Sequence, residues 1–412
     1  AMKEENKKTI SGMEFMTEIY VIMAQFLPLL FLAILIFMGF MPNQTIDMLL
    51  LRLLVYMWVP LGSIMFAILL ATIPPIDIKG RPSIFRLPNP FRHVPTVSGG
   101  EYDKRILKKL RGTMLSAKLR RFISNPFGVA IQNPSYILII SAPAAILYLL
   151  FTPIKTLTLC ISFLIATIPY AIFYELKSKR ASQLEAALPN FLKSLSSASR
   201  SGLSLSRALQ VTSTSELGVM ADEIKRVGKD IQWGASANEA LAKLEARVAI
   251  SPVAARTVTL IRKAGEAEED ISEVVDISFK DIQTRQEIAK ERRSAMFVYR
   301  LIIMMSFAVF LVTIYFIVWS YLLMPTGIEV GKVKIQGADP MDVKLLFYHL
   351  LVLQAVFTGA IAGQIGSGDI RSGLKFGIGL LIATIILFEF VLLPMGCLLY
   401  TSDAADEGLG VD

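Results

Sequence analysis

The chain has 412 residues, of which 54% are hydrophobic, and a formal net charge of +8. With a mean hydropathy of +0.55, this composition excludes an ordinary soluble globular protein and predicts an integral membrane protein. No nucleic-acid partner is expected, because the excess basic residues lie in loops beside apolar segments. The two cysteines, Cys160 and Cys397, lie in separate apolar stretches, which excludes a disulfide framework or a cysteine zinc site.

Seven segments have the roughly 20 mostly apolar residues that a transmembrane helix requires. The first is too long for a signal peptide and lacks a small-residue cleavage site, so we interpret it as a true span. The predicted spans lie near Ile19–Phe40, Leu49–Ile73, Ile137–Pro153, Leu157–Tyr174, Tyr299–Leu323, Leu345–Gln364 and Phe376–Gly396. The predicted fold class is therefore an all-α integral membrane protein.

The loop between the second and third spans is strongly basic, with twelve basic and three acidic residues in positions 76–135. The positive-inside rule places this loop and the N-terminus in the cytoplasm, and seven spans then leave the C-terminus outside. Part of the loop has basic residues at three- and four-residue spacing among leucines, which predicts an amphipathic helix with a cationic face. These candidate partner-binding residues are Lys104, Arg105, Lys108, Lys109, Arg111, Lys118, Arg120 and Arg121.

A charged segment after the fourth span predicts a small antiparallel helical bundle in the cytoplasm. Apolar residues recur there at helical spacing and predict one buried stripe, while Lys193 and Arg200 are expected to be exposed. The stripe consists of Leu184, Leu188, Phe191, Leu195 and Ala198.

Helix boundaries in this bundle are predicted from capping residues. Pro189 fits an early helix position, and Gly202 fits the residue after a helix end. Thr214 or Ser215 is expected to cap a third helix, and Ser236 with Glu239 forms a capping box for a fourth. Further starts are expected at Leu203 and at Ser251-Pro252, with a break at Gly265.

The segment from Glu268 to the fifth span contains neither glycine nor proline, which predicts one long helix that links the bundle stiffly to the membrane. Small residues in and between the last two spans allow helices to approach closely. The contact is expected to be fixed packing, a dimer interface or a surface along which helices move. These glycines are Gly359, Gly363, Gly366, Gly368 and Gly373. Glu389 is a candidate functional carboxylate within the membrane. It could bind a partner, pair with another helix, or extend to the membrane interface. Gln25, Gln354 and Arg52 are weaker candidates for functional polar residues within spans.

Two parts of the chain are interpreted as an internal repeat. The segment that begins at Asp47 aligns without gaps with the one that begins at Asp342, at an offset of 295 residues. Each follows a charged helix and a span, so the N-terminal part is interpreted as the remnant of a first copy whose bundle is missing. The last residues, 397–412, have no apolar periodicity and are expected to be non-native.

Several short motifs occur in a fixed order: LPxFLxxLxxAxRSGLSLxxAL, EIxRVxxDIxxG and IRKAGEAEEDISEV, the last at Ile261–Val274. Over roughly residues 180–395 this order resembles the F domain of type II secretion systems and type IV pilus-like machines. Together with the span, charge and repeat patterns, the resemblance divides the chain into six predicted regions. They are a repeat remnant (1–75), a basic cytoplasmic loop (76–135), a transmembrane hairpin (136–177), the cytoplasmic F domain (178–297), three further spans (298–396) and the tail (397–412).

The resemblance also implies the function. The tandem arrangement and the closing glycine pattern look most like the archaeal branch, and the N-terminal segment is most similar to archaellum platforms. Such a platform is expected to bind a cytoplasmic hexameric ATPase, archaellin or pilin-like subunits and membrane lipid, and to form a homodimer. The cationic face of the basic loop then has two candidate partners, the ATPase and anionic lipid.

No catalytic motif is present. The sequence has neither a nucleotide-binding P-loop nor a zinc-protease or esterase motif, so no enzymatic activity, cofactor or metal is expected. Two alternatives remain: the platform of an archaeal adhesion pilus or tight-adherence system, and, from another class, a secondary transporter with repeats. Transporters usually have discontinuous helices and charge at the membrane midplane, whereas the informative motifs here are cytoplasmic.

Overall fold

The computed structural model describes residues 2–39, 48–72, 130–131, 133–266, 271–322, 329–330, 333–334 and 340–392. These residues belong to two compact units. The first consists of Ala1–Pro74, Leu138–Ile172 and Glu291–Asp412, and the second of Pro75–Ile137 and Phe173–Lys290. We call the first the membrane unit and the second the bundle.

The helices of the described residues agree with an all-α integral membrane protein. Six are long and apolar enough to cross a membrane, and a shorter apolar helix of 17 residues stands where the third span was predicted. Up to the bundle the helices are α1 (Met2–Tyr20), α2 (Leu27–Gly39), α3 (Met48–Leu53), α4 (Val59–Thr72), α5 (Ser135–Phe151) and α6 (Thr156–Arg200). After it come α11 (Ile271–Leu322), α12 (Pro340–Ser367) and α13 (Leu374–Ile385).

Three membrane helices contain a π-helical segment: Val21–Phe26 joins α1 to α2, Leu54–Trp58 joins α3 to α4, and Ile386–Leu392 follows α13. Each segment ends two residues before a proline in the sequence, at positions 28, 60 and 394. Proline lacks the N–H that would bond to the carbonyl four residues earlier, and its ring clashes with that carbonyl. At Pro28 and Pro60 the wider π turn accommodates the proline, and the helix continues beyond it as α2 and α4.

The predicted repeat has a counterpart in burial. Residues 48–72 and α12 pack in the same unit, and all six buried side chains described in the first segment fall, 295 residues later, on buried residues of the second. The pairs are Leu51 and Leu346, Val55 and Leu350, Val59 and Gln354, Ser63 and Thr358, Phe66 and Ile361, and Leu70 and Ile365. The last two pairs lie together in one apolar cluster with Met13, Tyr20 and Ile303.

The bundle contains the second half of α6, four shorter helices and the first part of α11. The shorter helices are α7 (Leu205–Thr212), α8 (Ala221–Gln232), α9 (Ala237–Val248) and α10 (Pro252–Glu266). The capping box of α9 is confirmed: the Glu239 N–H donates to Ser236 Oγ over 3.2 Å, and the Ser236 N–H donates to the Glu239 side chain over 3.3 Å. Gly202 has φ of 75°, as expected for the residue after a helix end.

Three boundary predictions were wrong. Thr214 and Ser215 do not cap the third helix, because α8 begins several residues later, after the 3-10 turn Gly218–Met220. Gly218, with φ of 55°, begins that turn. Gly265 does not break its helix but lies in the last turn of α10. Pro189 lies in the interior of α6, an unbroken helix of 45 residues.

The long helix predicted after the bundle is present as α11, with 52 residues from Ile271 to Leu322. A two-residue antiparallel hairpin, β1 (Glu329–Val330) with β2 (Val333–Lys334), lies between α11 and α12. Both α6 and α11 therefore continue without interruption between bundle residues and an apolar span.

Candidate functional site

The core of the bundle is built on one face of α6. The predicted stripe is confirmed, since Leu188, Phe191 and Leu195 have no exposed surface. They pack with Leu209, Ile224, Leu241, Val258 and Val275, which lie on the five other helices of the bundle. Lys193 on the opposite face is exposed, as predicted. One face of α6 thus organises every helix of the bundle.

Arg262, in the motif IRKAGE, is a buried cation, with 7% of its side chain exposed. Its Nε lies 3.4 Å from Glu245 Oε2 on α9, and its Nη1 contacts Glu266 one turn later. A buried guanidinium is stable only when paired in this way. Gly265, one turn later, packs against α7, because a Cβ there would lie 2.6 Å from Leu205 Cδ2. This motif therefore joins α7, α9 and α10.

A polar contact joins α6 to α11. Arg200 and Ser196 on α6 both donate hydrogen bonds to the carboxylate of Asp276. The Arg200 hydrogen bond, followed by that of Ser196, holds the pKa of Asp276 below its usual range. The ionised carboxylate is therefore the form that the folded bundle favours.

A second contact between these helices explains how Pro189 fits inside α6. Glu185 is four residues before Pro189, so its carbonyl lacks the usual helical partner. Gln286 of α11 donates its side-chain N–H to this oxygen over 2.8 Å. The Glu185 side chain in turn accepts a hydrogen bond from Ser251 over 2.8 Å, at the start of α10.

In the membrane unit, polar side chains meet between the two parts of the predicted repeat. The hydroxyls of Tyr20 and Thr358 lie 3.0 Å apart, and Gln354 Nε2 donates to the carbonyl of Ala24 over 2.9 Å. Ser306 donates to the Gln25 side chain. Ala24 is four residues before Pro28, so Gln354 also satisfies a carbonyl that a proline leaves free. Gln25 and Gln354, noticed as polar residues within spans, therefore belong to one buried network.

The glycines of the last two spans bring α12 against α13 and the turn before it. A Cβ at Gly359 would lie 2.2 Å from Gly377 Cα, and one at Gly363 would lie 2.2 Å from the Gly373 nitrogen. A Cβ at Gly366 would meet the guanidinium of Arg300 at 2.2 Å, and Gly368 has φ of 66°. The glycine pattern therefore accounts for a close helix contact within one chain, and a role in dimerisation or movement stays a prediction.

Comparison with known families identifies the bundle and the span that follows it. Residues 191–319 match the family model of the type II secretion system (T2SS), protein F. This part of the chain is therefore similar to the F domain of type II secretion systems. The matched range runs from Phe191 in the buried stripe of α6 almost to the end of α11, and it is shorter than the range 180–395 in which the motifs were noticed.

The chain is also similar to a protein of unknown role. The uncharacterized protein MJ1286 of Methanocaldococcus jannaschii is 27% identical over 208 residues, which cover 50% of this chain and 34% of the relative. The chain thus spans about a third of the length of that relative. No solved structure matches.

The remaining predicted site residues are those of the basic loop and Glu389. The basic residues from Lys104 to Arg121 lie outside the described residues, so their partner role stays a prediction. Glu389 is half-buried in the π-helical segment after α13. Within the described ranges, no group of three or more His, Cys, Asp or Glu side chains is arranged to hold a metal ion.

Sequence reasoning missed Arg262, Gln286 and Trp233. Arg262 had the signal of a basic residue in an apolar helical stripe, whereas the partner of Gln286 is 101 residues away in the chain and leaves no local signal. Trp233 has 92% of its surface exposed, on a turn completed by Gly234 with φ of 96°. An exposed tryptophan on a short turn is a typical anchor for a protein partner.

Proposed function

We propose that the chain is the membrane platform of an archaeal type IV pilus-like machine, and specifically of the archaellum. The observation that carries the proposal is the F-domain match at residues 191–319, in a chain whose described residues include six helices long enough to cross a membrane. The family consists of membrane platform proteins, which supports a structural rather than an enzymatic role. The platform holds a cytoplasmic secretion-type ATPase and guides archaellin or pilin-like subunits into the filament.

Two features support mechanical coupling as the mechanism. Helices α6 and α11 each run unbroken between bundle residues and an apolar span. They are joined within the bundle by the contacts Gln286–Glu185 and Arg200–Asp276. A force on the bundle is therefore transmitted to two helices together, because interlocked helices move as one element.

The orientation within this proposal has the F domain, the basic loop and the N-terminus in the cytoplasm and the C-terminus outside. Single cysteines at Lys108 and Lys155 test it with a membrane-impermeant thiol reagent, in a chain whose native cysteines are replaced. Labelling in intact cells is expected at position 155 and not at 108. The reverse pattern contradicts the orientation.

The ATPase contact is proposed to include the basic loop and Trp233. In neutral nanodiscs, Trp233→Ala is expected to weaken ATPase binding about tenfold or more, since an anchoring aromatic contributes about 2 kcal/mol or more. Gln232→Ala, next to it and also exposed, is the matched control. Equal affinity of the two variants removes Trp233 from the contact.

The filament is identified by deletion and complementation in the cells that carry the chain. Loss of archaella and swimming, restored by the intact gene, supports the archaellum. Loss of adhesive pili with archaella retained supports the alternative platform instead. If both filaments persist while uptake of a solute fails, the secondary transporter is the correct class.

A further inference from the structure

A basic cleft lies within the bundle, on the side where α6 follows its span. One part, of about 480 Å³, is lined by Lys177, Arg180 and Arg247 among others. A second part, of about 440 Å³, shares Arg180, Val219 and Glu223 with the first. Together their linings contain five basic and two acidic side chains, so the cleft has a net positive charge.

The acidic side chains do not neutralise this excess. Glu223 is already paired, with Arg247 Nε at 2.8 Å and Arg226 at 3.6 Å. In the described part of the chain no ion pair involves Lys177 or Arg180. The Arg247 side chain is only 24% exposed, so an anion beside it would interact in a less polar medium than water.

The cleft also has apolar walls and lies at the ends of two membrane helices. Leu176 and Val219 line it with 44% and 47% of their surfaces exposed. Lys177 lies on α6, three residues after Tyr174, the last residue of the predicted fourth span. Asn133, which also lines the cleft, comes just before α5. If the fourth span ends at Tyr174, as predicted, Lys177 lies about one helical turn beyond the apolar segment, where lipid phosphates are expected.

We propose that this cleft binds the phosphate of an anionic phospholipid headgroup, with Lys177, Arg180 and Arg247 as donors. Arginine and lysine are the side chains that bind phosphate in proteins, arginine often through two parallel hydrogen bonds. The apolar walls fit the glycerol and upper acyl region of a lipid, which a free phosphate lacks. The site anchors the F domain to the membrane surface independently of which filament the platform serves.

The test uses the full chain in neutral detergent and counts bound lipid by native mass spectrometry. The probes are dihexanoyl phosphatidylglycerol, dihexanoyl phosphatidylcholine and inorganic phosphate. Compared with the unchanged chain, Lys177→Glu with Arg180→Glu is expected to lose one phosphatidylglycerol and to bind that lipid about tenfold more weakly, since one charge-assisted hydrogen bond alone contributes that factor. Lys193→Glu with Lys263→Glu, an equal charge change at exposed sites outside the cleft, is expected to keep the lipid.

The other outcomes are equally decisive. If inorganic phosphate binds as tightly as phosphatidylglycerol and is lost with the same variant, the site is a phosphate site for a soluble ligand. Equal lipid counts for the unchanged chain and the Lys177/Arg180 variant overturn the proposal, and so does equal binding of phosphatidylcholine. Thermal unfolding of each variant confirms that it is folded, and Lys177→Gln with Arg180→Gln repeats the test without charge reversal.

Discussion

Gln286 donates a hydrogen bond over 2.8 Å to the backbone carbonyl of Glu185 on α6. This carbonyl has no helical partner, because the residue four positions later is Pro189, which lacks an N–H. The membrane unit contains the same arrangement, in which Gln354 serves the Ala24 carbonyl that Pro28 leaves free. In both cases a glutamine on another helix supplies the N–H that proline lacks. Each proline therefore creates an acceptor that only tertiary structure can satisfy.

The first prediction concerns this hydrogen bond. Gln286→Leu is expected to lower the free energy of unfolding by about 1–3 kcal/mol, because a partly buried carbonyl loses its donor. Gln283→Leu, on an exposed position of the same helix, is the control. Thermal unfolding of the full chain in detergent, followed by circular dichroism, measures both.

A double-mutant cycle makes this test specific. Pro189→Ala restores a backbone N–H that can bond to Glu185, so it is expected to recover most of the loss caused by Gln286→Leu. If the two changes simply add, the Gln286 contact is incidental to the proline.

The second prediction concerns the buried stripe. Phe191→Asp is expected to unfold the F domain, because an unpaired charge in an apolar core costs several kcal/mol. Lys193→Glu, two residues away on the exposed face, is expected to leave the fold intact. Limited proteolysis of the full chain in detergent distinguishes the two, and equal protection of both variants contradicts the assignment of faces.

The third prediction uses the asymmetry of the glycine contact. A Cβ at Gly359 would lie 2.2 Å from Gly377 Cα, whereas one at Gly377 would lie at an ordinary 3.6 Å from Gly359 Cα. Gly359→Ala is therefore expected to destabilise the membrane unit by about 1–3 kcal/mol through overpacking, and Gly377→Ala to have little effect. Heat-induced aggregation in detergent compares the two variants; similar midpoints would show that α12 and α13 separate easily.

The fourth prediction concerns acid stability. Hydrogen bonds from Arg200 and Ser196 depress the pKa of Asp276 in the folded state, so this carboxylate stabilises the bundle at pH values above about 4, the usual unfolded value. That contribution is lost as the pH falls through the folded value. The stability difference between the unchanged chain and Asp276→Asn is expected to shrink between pH 7 and pH 3. When Arg200 is also changed to Ala, the stability difference caused by Asp276→Asn should be smaller and depend less on pH. If its pH dependence is the same as with Arg200 present, Arg200 is not the main cause of the lowered Asp276 pKa.

The fifth prediction separates the two partners of the basic loop. Lys108, Lys109, Arg120 and Arg121 are changed together to Glu, and ATPase affinity is measured in neutral nanodiscs, where anionic lipid is absent. A docking loop is expected to lose affinity there, because charge complementarity steers association. Unchanged affinity, with filament assembly failing only in native membranes, identifies the loop as a lipid anchor.

Local patterns predicted much of the bundle. The stripe around Phe191 and the capping box at Ser236 depend on residues within a few positions of each other, so sequence spacing was sufficient. Pro189 was misplaced because proline favours the first turn of an isolated helix, and the compensating donor, Gln286, is 101 residues away. The π segments could not be predicted from proline alone, because Pro143 of α5 and Pro169 of α6 also lie in apolar spans and cause no π segment there. The basic cleft required the tertiary structure, since it combines α6, α8 and α9.

The coincidence of buried positions in the two copies has an evolutionary consequence. A contact between identical subunits places each residue opposite a symmetry mate, so one substitution changes the interface twice. If the two segments arose by duplication, as the predicted repeat implies, each position can vary alone, and Phe66 and Ile361 differ while they remain in one cluster. The polar contacts are one such difference: Gln354 stands where the first segment has Val59, and it donates a hydrogen bond to the Ala24 carbonyl. A duplication of this kind would allow two originally interchangeable helices to acquire separate tasks.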